Sequence, residues 1–224
     1  MANYVGLDVR RHMELFNPYE FDLPVTVIGA GATGSWLVLQ LAKLGLSDIT
    51  VYDFDHVEEH NIPNQLFGIA DIGKPKVEAL AEFVKHQTGV EIKAKNEKYV
   101  SQRLSGIVYC MVDSMAVRDS IWKLGAKGKS AVKLYIEPRM GLNEGRIYNV
   151  NPTDSNHWKR YEDCWYPDDE AEVSACGTSQ SVVTSALLIA STCARQLINY
   201  HNGIELSNEI QLDPVYNQVF EYRW

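Results

Sequence analysis

Gly29, Gly31 and Gly34 stand in the spacing G-x-G-x-x-G and are the first residues whose types and order could do chemistry. Without side chains there, main-chain amides can approach phosphate oxygens closely, and a helix beginning at once would add free N–H groups and the positive end of its dipole. Ala32 and Thr33 complete the turn. Asp53, about 20 residues further on, ends a strand-like run and is placed to accept a hydrogen bond from a ribose hydroxyl. Glycines that only let a helix pack on a strand would have the same spacing, so the flanking elements decide what the motif is worth.

Those elements read as one βαβ unit. Pro24 to Ala30 is β-branched and apolar without alternation, as in a strand buried on both faces of a parallel sheet. From Gly34 to Leu44 the apolar spacing turns helical, and Gly45 falls at the C-cap. Asp48 to Asp53 returns to strand composition, which predicts a right-handed parallel crossover. The alternation continues with a helix over about Lys74 to His86 closed by Gly89, a mixed strand Val90 to Val100 and an apolar strand Gly106 to Val112. A helix near Ala116 to Leu124 and a strand near Ala131 to Ile136 follow. The expected class is α/β with an open, doubly wound, mostly parallel sheet. Met140 to Val150 reads as a turn and an antiparallel strand added at the sheet edge. Asn151 to Cys176 reads as a long loop or lid. Thr178 or Ser179 would cap a helix running to about Tyr200, and Gly203 to Trp224 looks extended.

Composition sets the outer bounds. A chain of 224 residues with 46% apolar and 22% charged residues supports one domain over 1–224, with a core at about 8–150, a lid at 151–177 and a helix plus tail at 178–224. A net charge of -8 argues against a nucleic-acid or anionic-membrane partner. No apolar run reaches membrane-span length and the first residues lack a signal peptide's apolar block, so a cytoplasmic location is expected. The four cysteines, Cys110, Cys164, Cys176 and Cys193, form no C-x-x-C pair and suggest neither a zinc site nor a disulfide framework.

Four segments in order, VTVIGAGATGS, VYDFDHVEEHNIPNQ, DIGKPKVEAL and YCMVDSMAVRDSI, resemble the ThiF/MoeB/ubiquitin-activating-enzyme superfamily over about Asp8 to Val150. The resemblance implies a Rossmann-like fold that binds ATP and Mg²⁺ and adenylates a carboxylate. That carboxylate is usually the C-terminus of a ubiquitin-like or sulfur-carrier protein, or of a peptide. It implies that Asp53 holds the ribose, that Asp55, Asn61, Asn64 and Gln65 line the nucleotide site, and that Lys76 reaches the phosphates. A cation there would neutralise charge building on the α-phosphorus and the leaving pyrophosphate. Asp113, at the carboxyl edge of the sheet, resembles the magnesium-associated aspartate, one carboxylate being enough beside phosphate oxygens. Arg118 matches a frequent family arginine or pairs with a nearby carboxylate. Arg10 and Arg11 resemble an arginine finger lent across a homodimer.

Two departures stand out. Asn64 occupies the place of a phosphate-contacting arginine, which removes a charge-assisted bond, and Ala32 replaces a further glycine. Cys176, in SACGTSQS ahead of the last helix, is the candidate nucleophile, because a helix N-terminus favours the thiolate. Cys164 is a weaker one, and Cys110 and Cys193 read as core. Trp158, Trp165 and Tyr166 either grip a peptide tail or close over the core. His56 and His60 flank the phosphate-side loop. Two rival readings remain: a non-catalytic ATP-binding or partner-binding module, and an NAD-dependent oxidoreductase using Asp53 on the NAD ribose.

Overall fold

A computed structural model gives the structure and describes residues 7–141, 144–167 and 182–224. Strand β1 (Val25–Ile28) is buried along its length, and Gly29 ends it at φ +102°. Helix α1 (Ala32–Lys43) follows and stops where Gly45 takes φ +92°. Strand β2 (Ile49–Tyr52) then pairs parallel with β1, completing the expected crossover. Helix α2 (Lys76–Thr88) is closed by Gly89 at φ +75°, a backbone conformation that favours glycine. Strand β3 (Lys93–Lys95) is far shorter than the predicted Val90 to Val100. It can pair only as far as its neighbour runs, and β2 ends at Tyr52.

Strand β4 (Gly106–Cys110) lies on the other side of β1, also parallel, so the strand order reverses between β2 and β4. Helix α3 (Met115–Ile121) continues into a wide π-helical turn over Trp122–Ala126, not the plain helix to Leu124 that the spacing suggests. Strands β5 (Val132–Met140) and β6 (Gly145–Val150) pair antiparallel as expected. β6 is not the edge, however. Strands β7 (Glu209–Asp213) and β8 (Gln218–Tyr222), in the tail read as extended, add beyond it to give the order β3-β2-β1-β4-β5-β6-β7-β8. Helix α5 (Val183–His201) lies where the last helix was expected, and its proposed caps Thr178 and Ser179 fall outside the described residues.

Helix α4 (Ser155–Asp163) corrects the reading of 151–177 as loop. Asp154 caps it by accepting from the Asn156 amide at 2.8 Å, and Trp158, Tyr161 and Trp165 recur at helical spacing toward the sheet. Alternating strand residues divide the core in two. Leu134 and Ile136 face a cluster with Leu37, Leu80 and Leu197 from α1, α2 and α5. Tyr135 faces the other, where Trp122, Tyr148 and Tyr161 meet edge to face or tilted. No helix among the described residues is long and apolar enough to cross a membrane.

Candidate functional site

The reversal of strand order beside β1 opens a crevice at the carboxyl ends of β1 and β4, where open α/β sheets bind ligands. Backbone contacts build its floor. The Gly29 amide donates to the Tyr52 carbonyl at 2.8 Å, and the Met111 amide donates to the Ile28 carbonyl at 2.7 Å. A Cβ at Gly29 would lie 2.7 Å from the Met111 carbonyl oxygen, and one at Gly34 would lie 2.0 Å from the Gly29 carbonyl oxygen. Both positions therefore require glycine for packing. Gly31 differs, because a Cβ there meets nothing within 4 Å. It faces open space at the start of α1 and offers no side chain to cap the first turn, so amides around Ala32 and Thr33 are left for solvent or a ligand anion. The packing reading thus holds at Gly29 and Gly34, and Gly31 is the glycine left open to a ligand.

One line of contacts leads from this turn to the lysine. The Ala30 amide donates to Asp53 Oδ2 at 2.6 Å, the Asp55 amide to Asp53 Oδ1 at 2.8 Å, and Lys76 Nζ lies 3.2 Å from Asp55 Oδ2. The Lys76 amide also donates to the Asp55 carbonyl at 2.9 Å, which fixes the start of α2 against the end of β2. Lys76 is buried at 7% exposure, and Asp55 is about half exposed, so the ammonium is held at the crevice by its ion pair with Asp55.

The segment after Asp55 folds back over the first turns of α1. The Trp36 indole N–H donates to the Asn64 carbonyl at 3.0 Å, and the Leu66 amide donates to Ser35 Oγ at 3.2 Å. Asn61 is buried and its side-chain oxygen accepts from the Glu58 amide at 2.9 Å. Gln65 Oε1 is buried with no hydrogen-bond partner among the described residues. The Asn64 carbonyl, then, is one of the points that tie this segment to α1. His60 is exposed and 3.3 Å from Glu58.

Asp113 sits two residues beyond Met111, exposed at the rim, where its Oδ1 accepts the Ser114 amide at 2.9 Å. No group of three or more His, Cys, Asp or Glu among the described residues could hold a metal by itself. A lone rim carboxylate suits Mg²⁺, which takes one or two protein oxygens and completes its shell with water and substrate phosphates.

Arg10 and Arg11 are not brought to this crevice. His12 Nε2 lies 3.3 Å from the Leu44 carbonyl, and Val9 packs by Gly45, so their segment sits at the opposite end of α1. That helix is about 18 Å long at 1.5 Å per residue. Arg10 is clamped by Asp8 at 2.6 Å, and that side-chain hydrogen bond holds the carboxyl down at about 2. Arg118 settles the alternative left open for it: buried, it donates to the Pro138 carbonyl at 2.8 Å and lies 3.1 Å from Glu137.

The cysteines divide as follows. Cys110 and Cys193 are fully buried core residues, and burial pushes the Cys110 thiol up to about 11. Burial also raises the Cys164 thiol, whose S–H donates to the Arg160 carbonyl at 3.2 Å, which is no setting for a thiolate. Cys176 lies outside the described residues. Trp158 and Trp165 pack on the second core cluster, and Tyr166 stacks toward Arg139 with 5.5 Å between the guanidinium and the ring.

Sequence reasoning missed Glu137, Arg139 and Tyr161. Arg139 Nε donates to Glu137 Oε1 at 2.6 Å, its Nη1 donates to the Cys164 carbonyl at 2.6 Å, and the Tyr161 hydroxyl donates to Glu137 Oε2. The signal was a charged pair around Pro138 inside the apolar run VKLYIEPRM.

Comparison with known proteins agrees with this architecture. The chain is 44% identical over 70 residues to "NEDD8-activating enzyme E1 catalytic subunit" of Arabidopsis thaliana, covering 30% of this chain and 15% of that one. It is 42% identical over 60 residues to "Adenylyltransferase and sulfurtransferase UBA4" of Yarrowia lipolytica, covering 27% of this chain and 15% of that one. The chain therefore spans a small part of the length of these relatives. Among solved structures, Escherichia coli MccB with AMPCPP and MccA superposes with a TM-score of 0.71 at 14% identity, over 99% of this chain and 72% of that one, a likeness of fold. The ThiF family model matches residues 21–223, a span holding the glycine turn, Asp53, Lys76 and Asp113, and the chain belongs to the ThiF family.

Proposed function

We propose that this chain is an ATP-dependent adenylyltransferase that activates the carboxylate at the C-terminus of a ubiquitin-like protein, a sulfur carrier or a peptide. The observation that carries this reading is the continuous contact from the Ala30 amide through Asp53 and Asp55 to Lys76, beside amides open at Gly31. Relatives named as activating enzymes and adenylyltransferases support it, as does the nucleotide analogue in the MccB structure.

In this reading the α1 amides bind phosphate oxygens and Asp53 orients the ribose. Lys76 swings from Asp55 onto the phosphates, where its charge offsets what builds up as an acceptor carboxylate oxygen attacks the α-phosphorus and the bond to pyrophosphate breaks. Asp113 would hold Mg²⁺, which supplies charge neutralisation on the phosphate oxygens when bound. Arg10 or Arg11 would act in a homodimer, since a helix length separates them from the crevice of their own chain. The expected setting is the cytoplasm.

ATP–pyrophosphate exchange with candidate carboxylates, run beside equilibrium dialysis of ATP, tests the assignment. Lys76→Ala and Asp113→Ala should each cut exchange by about 100-fold, the scale of losing one preorganised electrostatic contact. Wild-type exchange in both variants sinks these roles. ATP binding without exchange for any acceptor favours the non-catalytic reading that Asn64 in place of an arginine suggests. NAD binding in preference to ATP returns the site to the oxidoreductase reading.

A further inference from the structure

Two buried guanidiniums beside the crevice share one carboxylate. Arg118 and Arg139 are 6% and 7% exposed, both form their ion pairs with fully buried Glu137, and the second oxygen of Glu137 is taken by Tyr161. Counted over these two arginines and Glu137, one positive charge is in excess, and buried charge without a counter-ion is costly. Its unused donors are specific: Arg139 Nη2 and Arg118 Nε are buried and reach no acceptor among the described residues. The Arg139 guanidinium lies over the Tyr148 ring at 4.5 Å and over the Tyr166 ring at 5.5 Å, two contacts that restrain its fork. Planar, preorganised donors of this kind match carboxylate geometry.

The position is as telling as the charge. β5 pairs with β4 as far as Tyr109 opposite Ile136, so Glu137, Pro138 and Arg139 run on to the carboxyl rim. Arg118 belongs to the helix that Asp113 and Ser114 introduce. An acceptor reaching the crevice from the β5 side passes this pair.

We propose that Arg139, braced by Glu137 and backed by Arg118, is an anion subsite that takes a carboxylate of the acceptor tail. The tail displaces Tyr166, whose exposed ring lies 5.5 Å from the guanidinium, and seats a carboxylate on Nη2. This rests on the adenylation reading, from which the acceptor's chemistry is taken. The carboxylate is either the terminal one that reacts or an acidic side chain close behind it.

The test uses thermal-unfolding titrations of the full chain with triglycine, triglycinamide and N-acetyl-glutamyl-glycinamide. A carboxylate probe should raise Tm saturably, and triglycinamide, which keeps the amine of triglycine but lacks its carboxylate, should not. Response to triglycine identifies the terminal carboxylate as the occupant, and response to the glutamyl probe identifies the side chain. Arg139→Gln should weaken the responding probe about tenfold, the scale of a charge-assisted hydrogen bond. If that variant fails to fold, Arg139→Lys keeps the charge without the fork and should still weaken it. The subsite is overturned by equal response to amide and carboxylates, by no response to either carboxylate, or by full response in the folded variants. ATP titration of the same wild-type sample reads the nucleotide crevice separately: no ATP binding there, with the carboxylate response intact, sinks the adenylation reading and spares the subsite.

Discussion

The two flanks of the β1–β4 crevice are held by different forces. On the β1–β2 side, backbone touches backbone: Gly29 against Met111, Gly34 against Gly29, and the Ala30 amide on Asp53. On the β5 side, side chains from α3, α4 and β5 converge on Glu137 across gaps of 19 and 24 residues to Arg118 and Tyr161. The first flank is short-range and tolerates no added atoms. The second is long-range and tolerates no missing charge. Under the proposed function the first flank takes ATP, which needs the same close approach every time, whereas the flank proposed for the acceptor can be rebuilt with other side chains while the sheet stays as it is.

The largest expected effect falls on the charge-built flank. Glu137→Ala strands two buried guanidiniums and should cost about 3–5 kcal/mol, read from denaturant midpoints. A loss under about 1 kcal/mol would mean that water already reaches the pair. Next comes the steric flank, where Gly34→Ala forces a Cβ onto the Gly29 carbonyl and should cost about 2–3 kcal/mol. Gly31→Ala sharpens the contrast. With nothing within 4 Å, it should leave stability within about 0.5 kcal/mol while weakening ATP, so equal destabilisation by both substitutions would break the distinction.

The smallest effect is an acid one, behind the β5 flank. Burial alone would raise the Glu162 carboxyl, but hydrogen bonds from Lys127 and Trp122 outweigh it and hold the group below its ordinary 4.5. A lowered carboxyl contributes stability above its unfolded value that fades as pH falls through the folded one. Glu162 is 30% exposed, so the contribution should stay under about 1 kcal/mol. Glu162→Gln should flatten the loss of stability below pH 4.5, and an unchanged acid limb would show that the Lys127 contact carries nothing.

The residues themselves determined the βαβ unit, the glycine turn, Asp53 and the rim position of Asp113, because each follows from local spacing: a buried run, a turn that needs glycine, a helix, then an acid at a strand end. Cys110 and Cys193 were legible as core for the same reason, Cys110 lying in an apolar strand run and Cys193 having Ile189 and Leu197 four residues away on either side in its helix. Helix α4 was legible too in its i, i+3, i+7 aromatics, but polar composition masked it. Only the tertiary structure decided that Gly31 is open while Gly29 and Gly34 are packed, and that Arg10 lies a helix length from its own crevice. It alone gathered Arg118, Glu137, Arg139 and Tyr161 around one buried charge. Their pairing depends on which strands become neighbours, and no periodicity within a single element carries that information.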